Sequence, residues 1–440
     1  MSAHNTPQHR QAEDDATWPV PRRIASHARR AQPRGGHGHG HGHGHGGDVP
    51  VSTRTTRIVA YVLAPCAVIT AIALLVLWPG RPDTGPHPPS GTQRAYGEVV
   101  GTQETPCPPD QRVYGSEPMP CGKALVQVTD GPGKGTEVAV DLPQGPGAPR
   151  IAASDKVILS VQSDPTGAGN PDRYAVIDKE RGRPLVLMLA LCAVVIVAFG
   201  RWRGLRALVG LALSFAVLLL FMIPAILAGE PPLLVAIVGS SAIMFAVLYL
   251  THGVNVHTSV AILGTLASLV LTGLLGAVFI ASTALTGFAN EETLYLSIMN
   301  GNVDMRGLLL AGVIIGALGV LDDVTVTQST TVAELAPSAT SRLELYRAAT
   351  RVGRAHVASA VNTIVLAYAG ASLPLLLLVA AGGQDVSDLL TSQFLAQEIV
   401  RAAVGTLGLV AAVPITTGLA ALVADLRAPS DAAAPAHRAA

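Results

Sequence analysis

The chain has 440 residues, 49% of them hydrophobic and only 14% charged, with a mean hydropathy of +0.43. Soluble domains carry about 25% charged residues, so the shortfall excludes an ordinary cytosolic enzyme, a disordered chain and a nucleic-acid-binding domain. The 30 basic and 30 acidic residues cancel, and the hydropathy points to one polytopic membrane body with soluble pieces attached.

Residues 1–57 are polar and rich in Arg, Gln, Gly and Pro, which predicts a disordered cytoplasmic leader. Within it His37, His39, His41, His43 and His45 alternate with glycine. Neutral imidazoles on a flexible chain can hold Zn²⁺, Ni²⁺ or Co²⁺. The alternative is a low-complexity linker, because strict His-Gly alternation lacks the spacing of a structural zinc site.

The run 58–78 has 21 residues and no charge. That suffices to cross about 30 Å of hydrocarbon. Its long leader and the lack of a small-x-small site argue against a cleaved signal peptide. Residues 79–94 read as a Pro/Gly linker. Residues 95–182 then change character. Tyr96–Thr102, Ala124–Thr129, Thr136–Leu142, Lys156–Gln162 and Arg173–Asp178 are short β-favouring runs between Gly, Pro and Asp turns. They predict a small external all-β domain of OB-like type. All four lysines fall in this domain (Lys123, Lys134, Lys156 and Lys179). On the outer side disulfides persist, and Cys107 and Cys121 are expected to close a loop worth roughly 3 kcal/mol. Cys66 and Cys192 lie within spans and read as small hydrophobes. No aromatic platform or basic stripe marks a nucleic-acid surface.

Residues 183–425 form the membrane domain, with apolar runs at 185–199, 207–228, 233–250, 259–280, 307–321, 357–381 and 402–424. With 58–78 they make eight expected transmembrane helices. In lipid every backbone group must bond internally, hence helices. The runs 185–199 and 307–321 are too short alone, so both helices must extend into polar sequence. Arg22, Arg23, Arg29, Arg30, Arg54 and Arg57 precede the first span, and further arginines cluster at 201–206 and 342–354. The loops 229–232, 281–305 and 382–397 carry acids and no Lys or Arg. The positive-inside rule therefore puts both termini, including the disordered tail 426–440, in the cytoplasm of a cell-membrane protein.

An ionisable residue at membrane depth is costly and marks function. Asp322 and Asp323 follow the run 307–321, which needs further residues to span. On a helix Asp322, Thr325 and Ser329 share one face, and Asp323, Thr327 and Thr330 the adjacent one. Neighbouring carboxylates in low dielectric repel, which suits a proton carrier or cation ligand. The alternative is a helix that stops at Leu321 with the pair in water, although acids oppose the dipole at a helix C-terminus. Asn255, Gln328, His356 and Asn362, together with His252 and His257, are expected at the same inner depth, forming one polar vestibule. Glu398 and Arg401, three residues apart, are expected to pair at the outer end, with Arg306 as a neighbour. Pro224 and Pro374 each follow an arginine cluster by about 20 residues, a trace of an internal repeat, and with Pro414 they would kink or break helices.

There is no Walker A motif, no His-Glu-x-x-His, no Gly-x-Ser-x-Gly and no cofactor-binding loop, so neither an enzyme nor a cofactor is expected. The leading span, the external β domain, the run Gly316–Gln328, the stretch Gly353–Thr363 and the stretch Glu398–Thr417 resemble the bacterial YibE/F-like membrane proteins over residues 58–425. The resemblance implies a polytopic protein of permease type with no substrate attached. Leu321-Asp322-Asp323-Val324 is similar to the transmembrane Asp-Asp of resistance-nodulation-division pumps, which carries protons, but their large external domains are missing. The expectation is an α-helical polytopic protein that transports an ion or small solute, the Asp pair being the coupling site. The alternatives are a membrane scaffold or sensor whose β domain binds a partner, and metal handling with the His-Gly tract as antenna. The bilayer is the implied partner, a homo-oligomer is compatible, and nucleic acid is not expected.

Overall fold

The computed structural model describes residues 53–80, 92–106, 121–144, 148–162, 173–288, 291–381, 387 and 391–426. The His-Gly tract, most of the linker, Cys107 and the C-terminal tail lie outside the described residues, and so therefore does the expected Cys107–Cys121 bridge.

The first helix, α1 (Thr53–Val76), leads into a five-stranded antiparallel sheet. Its strands are β1 (Thr92–Thr105), β2 (Cys121–Asp130), β3 (Glu137–Asp141), β4 (Lys156–Gln162) and β5 (Arg173–Lys179). Side chains alternate across a strand, so one face collects Ala95, Val99, Ala124, Val126, Val128, Val157, Leu159 and Val161 as the core. The strand order is β3-β2-β1-β4-β5, with the long β1 pairing on both sides. Bulges in β1 at Tyr96/Gly97 and Val99/Gly101 bend the strand. Gly97 lies so close to β2 that a Cβ there would overlap Val126 Cγ1. The edge strands β3 and β5 approach each other, so the sheet curls into a half-barrel.

The rest is helical: α2 (Gly182–Val217), α3 (Ile223–Leu227), α4 (Pro232–His252), α5 (Val256–Ser282), α6 (Glu291–Met299), α7 (Met305–Leu335), α8 (Arg342–Ala371), α9 (Leu373–Ala381) and α10 (Gln393–Val423). Side-chain caps set several starts: Asn255 for α5, Asp304 for α7, Ser341 for α8 and Ser392 for α10. At α8 Ser341 accepts from the Glu344 N–H while the Glu344 carboxylate accepts from the Thr340 N–H, a variant of the capping box.

Among the described residues, six helices are long and apolar enough to cross a membrane, which makes this a multi-pass membrane protein. Eight were expected, and two features account for the difference. The runs 185–199 and 207–228 belong to one helical stretch, Gly182–Leu227, of 46 residues. It is not one straight rod: its two arms, before and after Arg201, each come to about the hydrocarbon thickness at 1.5 Å per residue. It bends sharply at Arg201 (φ 50°, ψ −127°), where Gly204 comes so near the Ile196 carbonyl oxygen that a Cβ would overlap it. The run 357–381 is divided at Ser372, ahead of Pro374, whose ring cannot continue the hydrogen-bond ladder. His356, Ser359, Asn362 and Thr363 leave α8 less apolar, and α9 has only 9 residues. Pro224 is likewise met by a π-turn at Leu218–Met222, whereas Pro414 sits inside an uninterrupted α10.

Helices α5, α7 and α10 pack on one another as the central core, with α4 and α8 against α7 and α1 along α4 and α5. Trp78, just past α1, stacks on Phe221 at 5.9 Å. Small residues bring the central helices close, and a Cβ on Gly264 of α5 would overlap Thr416 Oγ1 of α10.

Candidate functional site

Helix α7 does not stop at the Asp pair. Buried positions recur along it with helical spacing before the pair, at Leu310, Ile314, Leu318 and Leu321. They continue after it, at Val324, Thr325, Gln328, Ser329 and Val332. Those side chains, polar ones included, are buried between helices, so the helix runs on for 31 residues and the Asp pair stands near its middle. The two carboxylates then diverge around the helix. Asp322 points inward: its Oδ1 is fully buried and has no hydrogen-bond partner. It lines a cavity of about 720 Å³ together with Arg203, Arg206, Ser214, Thr251 and His252. Asp323 points outward, its side chain 75% exposed, with His356 Nε2 of α8 at 3.7 Å. That is too long for a hydrogen bond and becomes an ion pair when the imidazole is protonated.

The outward face of α7 carries Gly316, Gly319, Asp323, Thr327 and Thr330, all exposed. The far half of α8 crosses beside it. Val357, Ala360, Val361 and Ile364 pack towards Val324, Leu409 and Val413, and the Tyr368 hydroxyl would stand 3.0 Å from a Cβ on Gly316.

Behind Asp322 the helices are joined by hydroxyls and one amide. Thr265 and Thr325 share a hydrogen bond of 2.5 Å between α5 and α7, and Thr325 also donates to the Asp322 carbonyl at 3.1 Å. Gln328 Nε2 donates to the Ala349 carbonyl at 2.9 Å and to Thr417 Oγ1 at 2.7 Å, tying α7 to α8 and α10. Ser329 donates to the His257 carbonyl at 2.8 Å.

The residues expected to form one vestibule are therefore spread over different faces. Asp322 and His252 share the cavity, and Asp323 and His356 share the outer face. Thr325 and Gln328 serve as links between helices, because each finds its partners within the core. Asn255 is a cap: its Oδ1 accepts from the Thr258 N–H at 2.7 Å and its Nδ2 donates to the His252 carbonyl at 3.1 Å. Asn362 lies exposed on α8. At the start of α10, Arg401 and Glu398 form an ion pair at 3.2 Å, whereas Arg306 contributes its backbone N–H to the Asp304 cap.

Sequence reasoning took Arg203 and Arg206 as topology markers and did not place them in the cavity. Their spacing held the signal, since Arg203, Ala207, Gly210 and Ser214 recur at helical intervals along one face and all line the cavity. Thr265 and Thr417 were also missed, because hydropathy counts a hydroxyl as polar even where it is bonded inside the core.

Chemically, a carboxylate that lines a cavity and has one oxygen buried without a partner can take up and release a proton or a small cation. Among the described residues there is no group of three or more His, Cys, Asp or Glu side chains placed to hold a metal ion. Residues 188–426, more than half of the chain, match the model of the YibE/F-like protein family. No curated protein and no solved structure matches the chain.

Proposed function

The chain belongs to the YibE/F-like protein family, and we propose that it is a secondary transporter of an ion or small solute, coupled to H⁺ or a cation through Asp322. One observation carries this reading: from the middle of a membrane-length helix Asp322 lines a cavity, while one of its carboxylate oxygens, Oδ1, is buried without a hydrogen-bond partner. Burying an ionisable group costs several kcal/mol, so a fold that needed no such group would not keep it. Asp323, on the open side of the same helix turn, and His356 of α8 beside it supply a second station. The bend at Arg201, the π-turn before Pro224 and the break before Pro374 support the reading, because transporters build their sites from interrupted helices.

In this reading the protein lies in the cell membrane with both termini in the cytoplasm, as the arginine distribution favours. The half-barrel stands outside, and its strand order supports an OB-like assignment. Its role is transport and not catalysis.

The test uses two carbodiimides on the full chain in proteoliposomes. A hydrophobic reagent should modify Asp322 and block flux, while a water-soluble one should reach Asp323 first. Equal labelling of both aspartates by the water-soluble reagent, or full uptake by a folded Asp322→Asn/Asp323→Asn variant, would overturn the reading. A stable protein partner captured by the half-barrel, with no flux of any ion, would put a scaffold or sensor in its place.

A further inference from the structure

The cavity that Asp322 faces is not an acidic one. Its other charged side chains are Arg203 and Arg206, three residues apart on the arm that follows the bend at Arg201. Neither guanidinium forms an ion pair or hydrogen bond with any described residue. The ion pairs among the described residues lie elsewhere, in the half-barrel, at Asp323–His356 and at Glu398–Arg401. Below the arginines the same helix face turns small, through Ala207 and Gly210, and ends on the hydroxyl of Ser214. A Cβ on Gly210 would stand 3.1 Å from Val247 Cγ1, so the lack of a side chain there keeps the space between α2 and α4 open. Thr251 and His252 complete the opposite wall.

At about 720 Å³ the cavity is of the size that holds a small molecule. Two permanent positive charges face one carboxylate, so the balance is positive whether Asp322 is ionised or protonated. Guanidiniums present forked donors that match carboxylate and phosphate oxygens in pairs. From this we propose that the cavity binds a small oxyanionic solute, its carboxylate or phosphate group held by Arg203 and Arg206. The proposal rests on the transport reading above and names its substrate class. A proton or cation on Asp322 removes the negative charge in the cavity and so strengthens anion binding. By linkage, a bound anion favours the loaded Asp322 to the same degree. The two sites then move their cargo together.

The experiment reads occupancy of the cavity directly. Ser214→Cys is introduced into the full chain with Cys66→Ser and Cys192→Ser, and its labelling by a maleimide is followed in detergent. The probes are inorganic phosphate and succinate, with tetramethylammonium chloride and glycerol as cationic and neutral controls. Phosphate or succinate at millimolar concentration should slow labelling at least about threefold. Arg203→Gln/Arg206→Gln should abolish the protection, while Arg347→Gln/Arg351→Gln, on α8, should leave it. Protection by tetramethylammonium or glycerol alone, or no protection by either anion, overturns the proposal. Protection by phosphatidylglycerol but not by the free anions assigns the arginines to a lipid headgroup and overturns it too. Failure here, beside coupled flux that Asp322→Asn abolishes, would remove the substrate class and leave the transport reading standing. Anion protection without flux of any ion would do the reverse.

Discussion

Replacing Gln328 with methionine isolates the link that ties α7 to its neighbours. The side chain is 3% exposed and donates to the Ala349 carbonyl and to Thr417 Oγ1. Methionine fills a similar volume, so a cavity contributes little and the loss is that of two interhelical hydrogen bonds. Such bonds average about 0.6 kcal/mol in membrane proteins and reach about 1.7, so the pair is worth roughly 1–3 kcal/mol. The lower part of that range is favoured by the partners, since Thr417 keeps its own bond to the Val413 carbonyl at 2.6 Å. The assay is unfolding by sodium dodecyl sulfate in mixed micelles, followed by far-ultraviolet circular dichroism. Thr330→Val is the control. Thr330 is exposed on the same helix and bonds only to the Val326 carbonyl, so the change should stay within about 0.5 kcal/mol. Stability of Gln328→Met equal to that of the wild type, or an equal loss in Thr330→Val, would refute the argument that these bonds hold the bundle around the Asp pair.

Thr265→Val removes the hydroxyl bonded to Thr325 and should cost about 1 kcal/mol in the same titration. Gly264→Ala places a methyl against Thr416 and should cost about 1–3 kcal/mol, partly recovered by adding Thr416→Ala. In the half-barrel, the bond to Lys179, at 2.6 Å, holds the Asp155 carboxyl below its usual range. A carboxyl lowered on folding stabilises the fold above its unfolded value and loses that contribution as pH falls through the folded one. Hydrogen exchange of Lys156–Gln162 should therefore be faster in Asp155→Asn than in wild type at neutral pH. At matched acidic pH, below the carboxylate range, the two should converge.

The half-barrel was readable from residue order, because its strands alternate Val, Leu and Ala with polar residues between Gly and Pro turns. Its core, from Ala95 to Val161, is the inward half of that alternation. The membrane helices were legible as apolar runs, but not their limits. Hydropathy ends at Leu321, whereas burial continues through Thr325, Gln328 and Ser329, whose polar atoms are bonded between helices. The break at Arg201 was legible as the arginine cluster 201–206 between two apolar runs, but its form, a bend at one residue of positive φ, is imposed by packing and not by composition. The two faces of the Asp pair were visible in the helical spacing. Which face is open and which faces a cavity was not, because that depends on the crossing of α2, α4 and α8.

The most direct test of the central claim is accumulation by proteoliposomes under an imposed pH or cation gradient, with the wild type compared with a folded Asp322→Asn protein. The account predicts that the wild type concentrates its solute against a gradient, while Asp322→Asn at most lets it equilibrate. Equal accumulation by both proteins would contradict it.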